Sequence, residues 1–103
     1  MSYTALPFAS VGWTAGAHAL EKKKRVEGQP AVLLEFAPGF EDSHWCERGH
    51  VIYVLAGALD LVLDERTERV HAGNGCVLEP NTRHRAANAG SIPVRLLVVS
   101  LPG

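Results

Sequence analysis

The sequence predicts an all-β domain whose antiparallel strands close into a sandwich or barrel, and three observations carry that prediction. Ten glycines and six prolines punctuate the 103 residues, leaving apolar runs of strand length and little room for a long helix. Those runs follow one another across turns of a few residues, as sandwiches and barrels require. Hydrophobic residues make up 47% of the chain, enough for one core in one domain over 1–103, with no room for a separate cofactor domain.

The elements follow in order. The first thirty residues are the least regular; Ala15 to Arg25 is the one helix-like stretch, and its Lys22-Lys23-Lys24-Arg25 run reads as a solvated turn or edge-strand face rather than a basic patch. A strand AVLLEFA follows Pro30, then a PGFED turn, then an extended segment through His44-Trp45-Cys46 to His50. Val51 to Leu55 is apolar on both faces, which predicts one face in the core and the other against a partner sheet or subunit. Ala58 to Asp64 alternates in part, Asp64 to Thr67 makes a hairpin tip, and Glu68 to His71 returns. Cys76 belongs to the apolar run CVL and reads as core, and Val94 to Leu101 is a last, two-faced strand. Ile52, Val54, Leu61, Leu78 and Leu96 are the expected interior residues; Tyr53 and Trp45 are expected on the outer surface.

Charge narrows the function classes. Ten Lys and Arg against eleven Asp and Glu leave a net charge of −1, so no electrostatic footprint for nucleic acid or an anionic membrane is present. The longest apolar run, Ile92 to Leu101, is broken by Pro93, Arg95 and Ser100 and is too short to span a bilayer. The N-terminal stretch has neither a charged segment nor a continuous apolar one of the secretory kind, which predicts a cytoplasmic protein. Two cysteines are too few for a disulfide scaffold; free thiols or ligands are expected, a Cys46–Cys76 bridge being the alternative.

Three of the five histidines and one cysteine carry the chemistry. Residues two apart on a strand share a face, so His44 and Cys46 would project together and His50, of the same parity, would join them unless Gly49 interrupts the strand. His84 follows the turn Pro80-Asn81-Thr82 and reaches the same cavity from an adjacent strand. Imidazole and thiolate donors suit zinc, iron, nickel or copper, and not magnesium or calcium. The bland alternative is a set of satisfied polar residues in a metal-free pocket, with Cys46 a small buried apolar residue.

From Pro38-Gly39 through His44, Cys46 and His50 to Gly57, the chain resembles the first motif of the cupin family, a glycine, a His-x-His pair, a glutamate, six residues and a glycine. Cys46 stands at the second histidine, His50 at the glutamate, and Gly39 one residue late. The second motif, Gly-x5-Pro-x-Gly-x2-His-x3-Asn, is met by Gly73, His84 and Asn88, with Glu79 at the proline and Asn81 at the glycine. Asparagine is the side chain that best tolerates a left-handed backbone, so Asn81 keeps the turn. Motif 1 thus covers residues 39–57 and motif 2 residues 73–88.

The resemblance implies a small cupin-type β-barrel, jelly-roll-like, that holds a divalent transition metal (zinc, iron or nickel) through His44, Cys46, His50 and His84. It implies a small polar or carboxylate-bearing molecule inside the barrel and activity as a dioxygenase, isomerase or lyase; the alternative is a non-catalytic ligand-binding or sensing cupin with a structural metal or none. Four protein donors would make a closed structural zinc site, three would leave positions open for water or substrate. Beyond the ligands no motif residue is an obvious general acid or base. Arg83 and Arg85 flank His84 and would favour an anionic substrate if they faced the mouth, or else solubilise the surface. Glu47 and Arg48 are expected at solvent-facing turns, Asn88 is expected to tie down a turn, and His18 and His71 fall outside both motifs. Two-faced apolar strands favour a homodimer.

Overall fold

The computed structural model describes residues 2–102 of the chain, and the glycine and proline punctuation divides them into nine strands. These are β1 (Thr14–Ala15), β2 (Glu21–Arg25), β3 (Ala31–Phe36), β4 (His50–Ala56), β5 (Ala58–Leu63), β6 (Thr67–His71), β7 (Gly75–Leu78), β8 (His84–Ala87) and β9 (Val94–Ser100). Six of them form one sheet in the order β1-β2-β3-β9-β4-β7, three form a second in the order β6-β5-β8, and every pairing is antiparallel. The all-β, jelly-roll-like fold is as expected. No helix among the described residues is long and apolar enough to cross a membrane.

The helix-like stretch Ala15 to Arg25 is a correction: it holds the end of β1 and the whole of β2 instead. Lysines and glutamate are good helix formers, but β3 offers β2 a full ladder from Glu21↔Phe36 to Arg25↔Val32, and this tertiary pairing overrides local propensity. The basic run is a strand face: Lys22 pairs with Glu35 at 3.0 Å, and the Lys24 ammonium donates to the Phe8 carbonyl at 2.7 Å. The 64–67 tip is where it was expected, with the Leu63 amide donating to the Arg66 carbonyl at 2.8 Å between β5 and β6.

The core lies between the two sheets. Ile52, Val54, Leu61, Leu78 and Leu96 are all buried there, as expected, joined by Leu59 and by Phe36 stacked on Phe40 at 3.9 Å. Cys76 packs against this cluster, and both cysteines are free. Tight turns set the ladder ends. Gly57 turns the chain from β4 into β5 at φ +77°, and a Cβ there would sit 2.6 Å from the Pro93 carbonyl oxygen, so only glycine fits. Asn81 holds φ 71°, the left-handed conformation its motif position requires.

Candidate metal and ligand site

A cavity of about 410 Å³ opens between the sheets. Its walls are apolar side chains of the facing strands, among them Leu34, Phe36, Ile52, Leu61, Leu96 and Val98. At one part of the wall, donor atoms of Cys46, His50 and His84 all lie within 4.8 Å of one another. His84 starts β8 with its side chain inward beside Leu63, its partner on β5. Cys46 is held to it by a two-bond bridge: the Cys46 amide donates to the His84 carbonyl at 2.8 Å, and the His84 amide returns the bond at 2.9 Å. His50 opens β4, and its ring meets that of His84 edge-on at 5.6 Å.

The donor atoms are chemically ready. His84 is almost fully buried, and its Nδ1 lies 2.8 Å from the Thr82 carbonyl, which can only accept. In the neutral ring Nδ1 therefore carries the proton and Nε2 keeps its lone pair, the tautomer a ligating histidine uses. Burial, then repulsion from His84 and Arg48, pushes the His50 imidazole below its ordinary value, so its neutral form prevails near pH 7.

The strand expected through 44–50 does not form. Residues 43–44 make a bend, and the chain touches β8 only at Cys46 before β4 begins at His50. Gly49 packs beneath Pro80, where a Cβ would fall 2.7 Å from the proline ring. The two-residue parity linking His44, Cys46 and His50 therefore has no strand to act on. His44 lines the cavity but is exposed on its bend and stands outside the three-donor group.

Arg83, just before β8, and Arg85 within it flank His84 and turn away from the cavity, and both guanidiniums stack on Trp45 at 4.3 and 4.5 Å. Arg83 also reaches Asp64 at 3.4 Å. Neither lines the cavity; Arg48, at the mouth with Glu47, is the one Lys or Arg that does among the described residues.

Two lining carboxyls were missed in the sequence. Asp42 follows the β3 turn and is pinned to β8, its amide donating to the Ala86 carbonyl at 2.9 Å and its Oδ2 accepting from the Ala86 amide at 2.8 Å. Glu21 enters from β2; burial first, and then Asp42, push its carboxyl above the ordinary value of 4.5 against the pull of Lys23 and His18. The signal was in the alternation: read as a strand, Glu21-Lys22-Lys23-Lys24-Arg25 puts Glu21 and Lys22 on opposite faces.

A family model for the cupin domain matches residues 32–100. Among solved structures, the chain is similar to the polyketide cyclase RemF from Streptomyces resistomycificus at 22% identity and TM-score 0.80, covering 96% of this chain and 79% of that one. It is similar to KdgF from Halomonas sp. at 22% identity and TM-score 0.77, over 99% of this chain and 96% of that one. A sugar phosphate isomerase of the cupin superfamily from Silicibacter pomeroyi aligns at 20% identity and TM-score 0.71, over 97% and 76%. At these identities the likeness establishes the fold. None of the curated proteins matches the chain.

Proposed function

The chain belongs to the cupin family, and from that premise we propose that it binds one divalent transition metal through Cys46, His50 and His84 and acts on a small molecule held in the cavity beside it. The observation that carries this reading is the convergence of one thiol and two imidazoles within 4.8 Å, one imidazole already fixed in its ligating tautomer. Bond lengths of about 2.0–2.3 Å to nitrogen and sulfur place tetrahedral donors roughly 3.3–3.8 Å apart, so a small contraction closes the three around an ion. Such a donor set suits zinc, iron or nickel. With His44 outside the group, three protein donors leave a position for a ligand oxygen, which a bound metal would polarise as a Lewis acid.

The residues around that position set what the chemistry can be. The apolar walls exclude water from the body of the ligand, and the neutral imidazole of His50 costs the metal no proton to displace. Isomerase or lyase chemistry, which needs a polarised oxygen and proton movement without an external oxidant, fits these groups better than a dioxygenase reaction. Two of the structural neighbours are named as a cyclase and an isomerase. Titration of metal-free protein with cobalt(II) tests the ligand set: a thiolate-to-cobalt charge-transfer band is expected in the wild type and not in Cys46→Ser. A wild-type spectrum without that band removes Cys46 from the site.

The outer face of the large sheet supports a homodimer. Val51, Tyr53 and Leu55 of β4 and Val77 of β7 are exposed side by side, Val51 being the ladder partner of Val77. A second copy of this chain is the partner we assign to that face.

A further inference from the structure

The cavity has a second polar region that the metal site does not use. Glu21 is the Cα partner of Phe36, a cavity residue, so the pleat turns its side chain inward while Lys22, paired with Glu35, turns outward. Its carboxyl is half-buried, and among the described residues it has no hydrogen-bond or ion-pair partner. Three charged or titratable groups face it: Asp42 from the turn after β3, Lys23 from its own strand and His18 from the turn before. Asp42 is already engaged through Oδ2 by the Ala86 amide.

The chain before β2 is shaped around this side chain. A Cβ on Gly16 would lie 2.5 Å from Glu21 Cγ and 2.6 Å from its Cδ, so glycine at 16 is what lets the Glu21 side chain lie where it does. In the large sheet β2 and β4 are separated by β3 and β9. Three strand spacings amount to roughly 14 Å before curvature, so Glu21 and His50 belong to different stretches of the wall. A partly buried carboxyl left without a partner on an apolar wall is a group that a ligand hydroxyl satisfies. At this end of the cavity a ligand carboxylate would meet Glu21 and Asp42, offset by Lys23 beside Glu21 and by Arg48 at the mouth.

Resting on the reading of this cavity as a ligand site, we propose that Glu21 is its specificity-determining residue, hydrogen-bonding a hydroxyl of a neutral ligand with an apolar body and turning carboxylates away. The carboxyl serves in either protonation state, accepting from the hydroxyl when ionised and donating to it when protonated. The expected small carboxylate ligand gives way to a neutral hydroxyl-bearing one.

The test is a titration of the full chain with a matched pair of probes, resorcinol and its carboxylated analogue α-resorcylate, followed through the amide shifts of cavity residues at pH 7. Resorcinol is expected to bind the wild type at least fivefold more tightly than α-resorcylate. Glu21→Leu should weaken resorcinol by about fivefold, the worth of one hydrogen bond. Glu21→Gln, which keeps the hydrogen bond and removes the charge, should hold resorcinol and admit α-resorcylate. Gly16→Ala, which displaces the carboxyl without deleting it, should weaken resorcinol as Glu21→Leu does. Equal binding of the two probes by the wild type, or resorcinol binding unchanged in Glu21→Leu and Gly16→Ala, would overturn the proposal. Absence of any cavity shift with either probe in the wild type and all variants would instead overturn the reading of the cavity as a ligand site, and the proposal with it.

Discussion

Asn88 is only 2% exposed and joins three parts of the chain. Its Nδ2 donates to the Phe36 carbonyl at 3.0 Å and to the Ile92 carbonyl at 2.9 Å, and its Oδ1 accepts from the Gly90 amide at 3.0 Å. Asn88→Ala removes all three bonds and leaves the buried Phe36 carbonyl without this partner, and the expected cost is about 1–3 kcal/mol, read as a fall in unfolding free energy by urea titration. A loss below about 1 kcal/mol would show that the turn is held by other contacts. The role of Asn88 was legible in the motif, as was the left-handed Asn81, because a single residue type answers a single backbone demand at each position. The convergence of His84, His50 and Cys46 on one cavity was legible in the motif spacing, although Cys46 and His50 depart from the motif's own residues. Glu21 was not, because its significance depends on which strand faces it. Its raised value also has a stability consequence: the ionised form is disfavoured by folding, so the contribution present at low pH is lost as pH rises through the folded value. Glu21→Gln is therefore expected to melt above the wild type at pH 7, by differential scanning calorimetry, and to lose that advantage below the ordinary carboxylate value; a lower melting temperature at pH 7 would contradict this.

Between elements, the large sheet is stitched on its outer face by Glu35 of β3, which pairs with Lys22 of β2 at 3.0 Å and Arg95 of β9 at 2.7 Å. Burial alone would raise the Glu35 carboxyl, but hydrogen bonds from Arg95 and Lys22 and their charges more than offset it, and the net shift is downward from 4.5. A carboxyl lowered by folding contributes stability above its unfolded value and loses it as pH falls through the lower folded value. Chemical unfolding at a series of pH values should thus show wild type and Glu35→Gln differing most at neutral pH and converging in acid; a difference that grows in acid would contradict this. These cross-strand partners lie 13 and 60 positions from Glu35, so the ladder could not be read from local pattern. The strands that were legible, β3, β4, β5, β6 and β9, are those bounded by glycine, proline or acidic turns. The segment 44–49 was misread as extended because parity applies only where a ladder runs on, and here β8 pairs with it through a single bridge at Cys46. The stretch 15–25 was misread because its helix-forming side chains outvoted a pairing that only β3 supplies.

At the scale of the molecule, two properties follow from how the sheets are disposed. The small sheet covers one face of the large one, enclosing the core and the cavity, and the opposite face of β4 and β7 keeps four large apolar side chains in solvent. The homodimer assigned to that face predicts a mass of twice the 11.1 kDa chain by light scattering, shifting to that of one chain in Tyr53→Lys with Val77→Lys. A wild-type mass of one chain at high micromolar concentration would contradict it. The central claim concerns the enclosed side, where a bridge between Cys46 and β8 and the first residue of β4 bring three donors together. Elemental analysis of untagged protein purified without chelator, wild type against His84→Ala, tests it most directly. The claim predicts close to one transition-metal ion per wild-type chain and a loss of most of it in His84→Ala; a wild type that carries no metal and takes up none on reconstitution would contradict it.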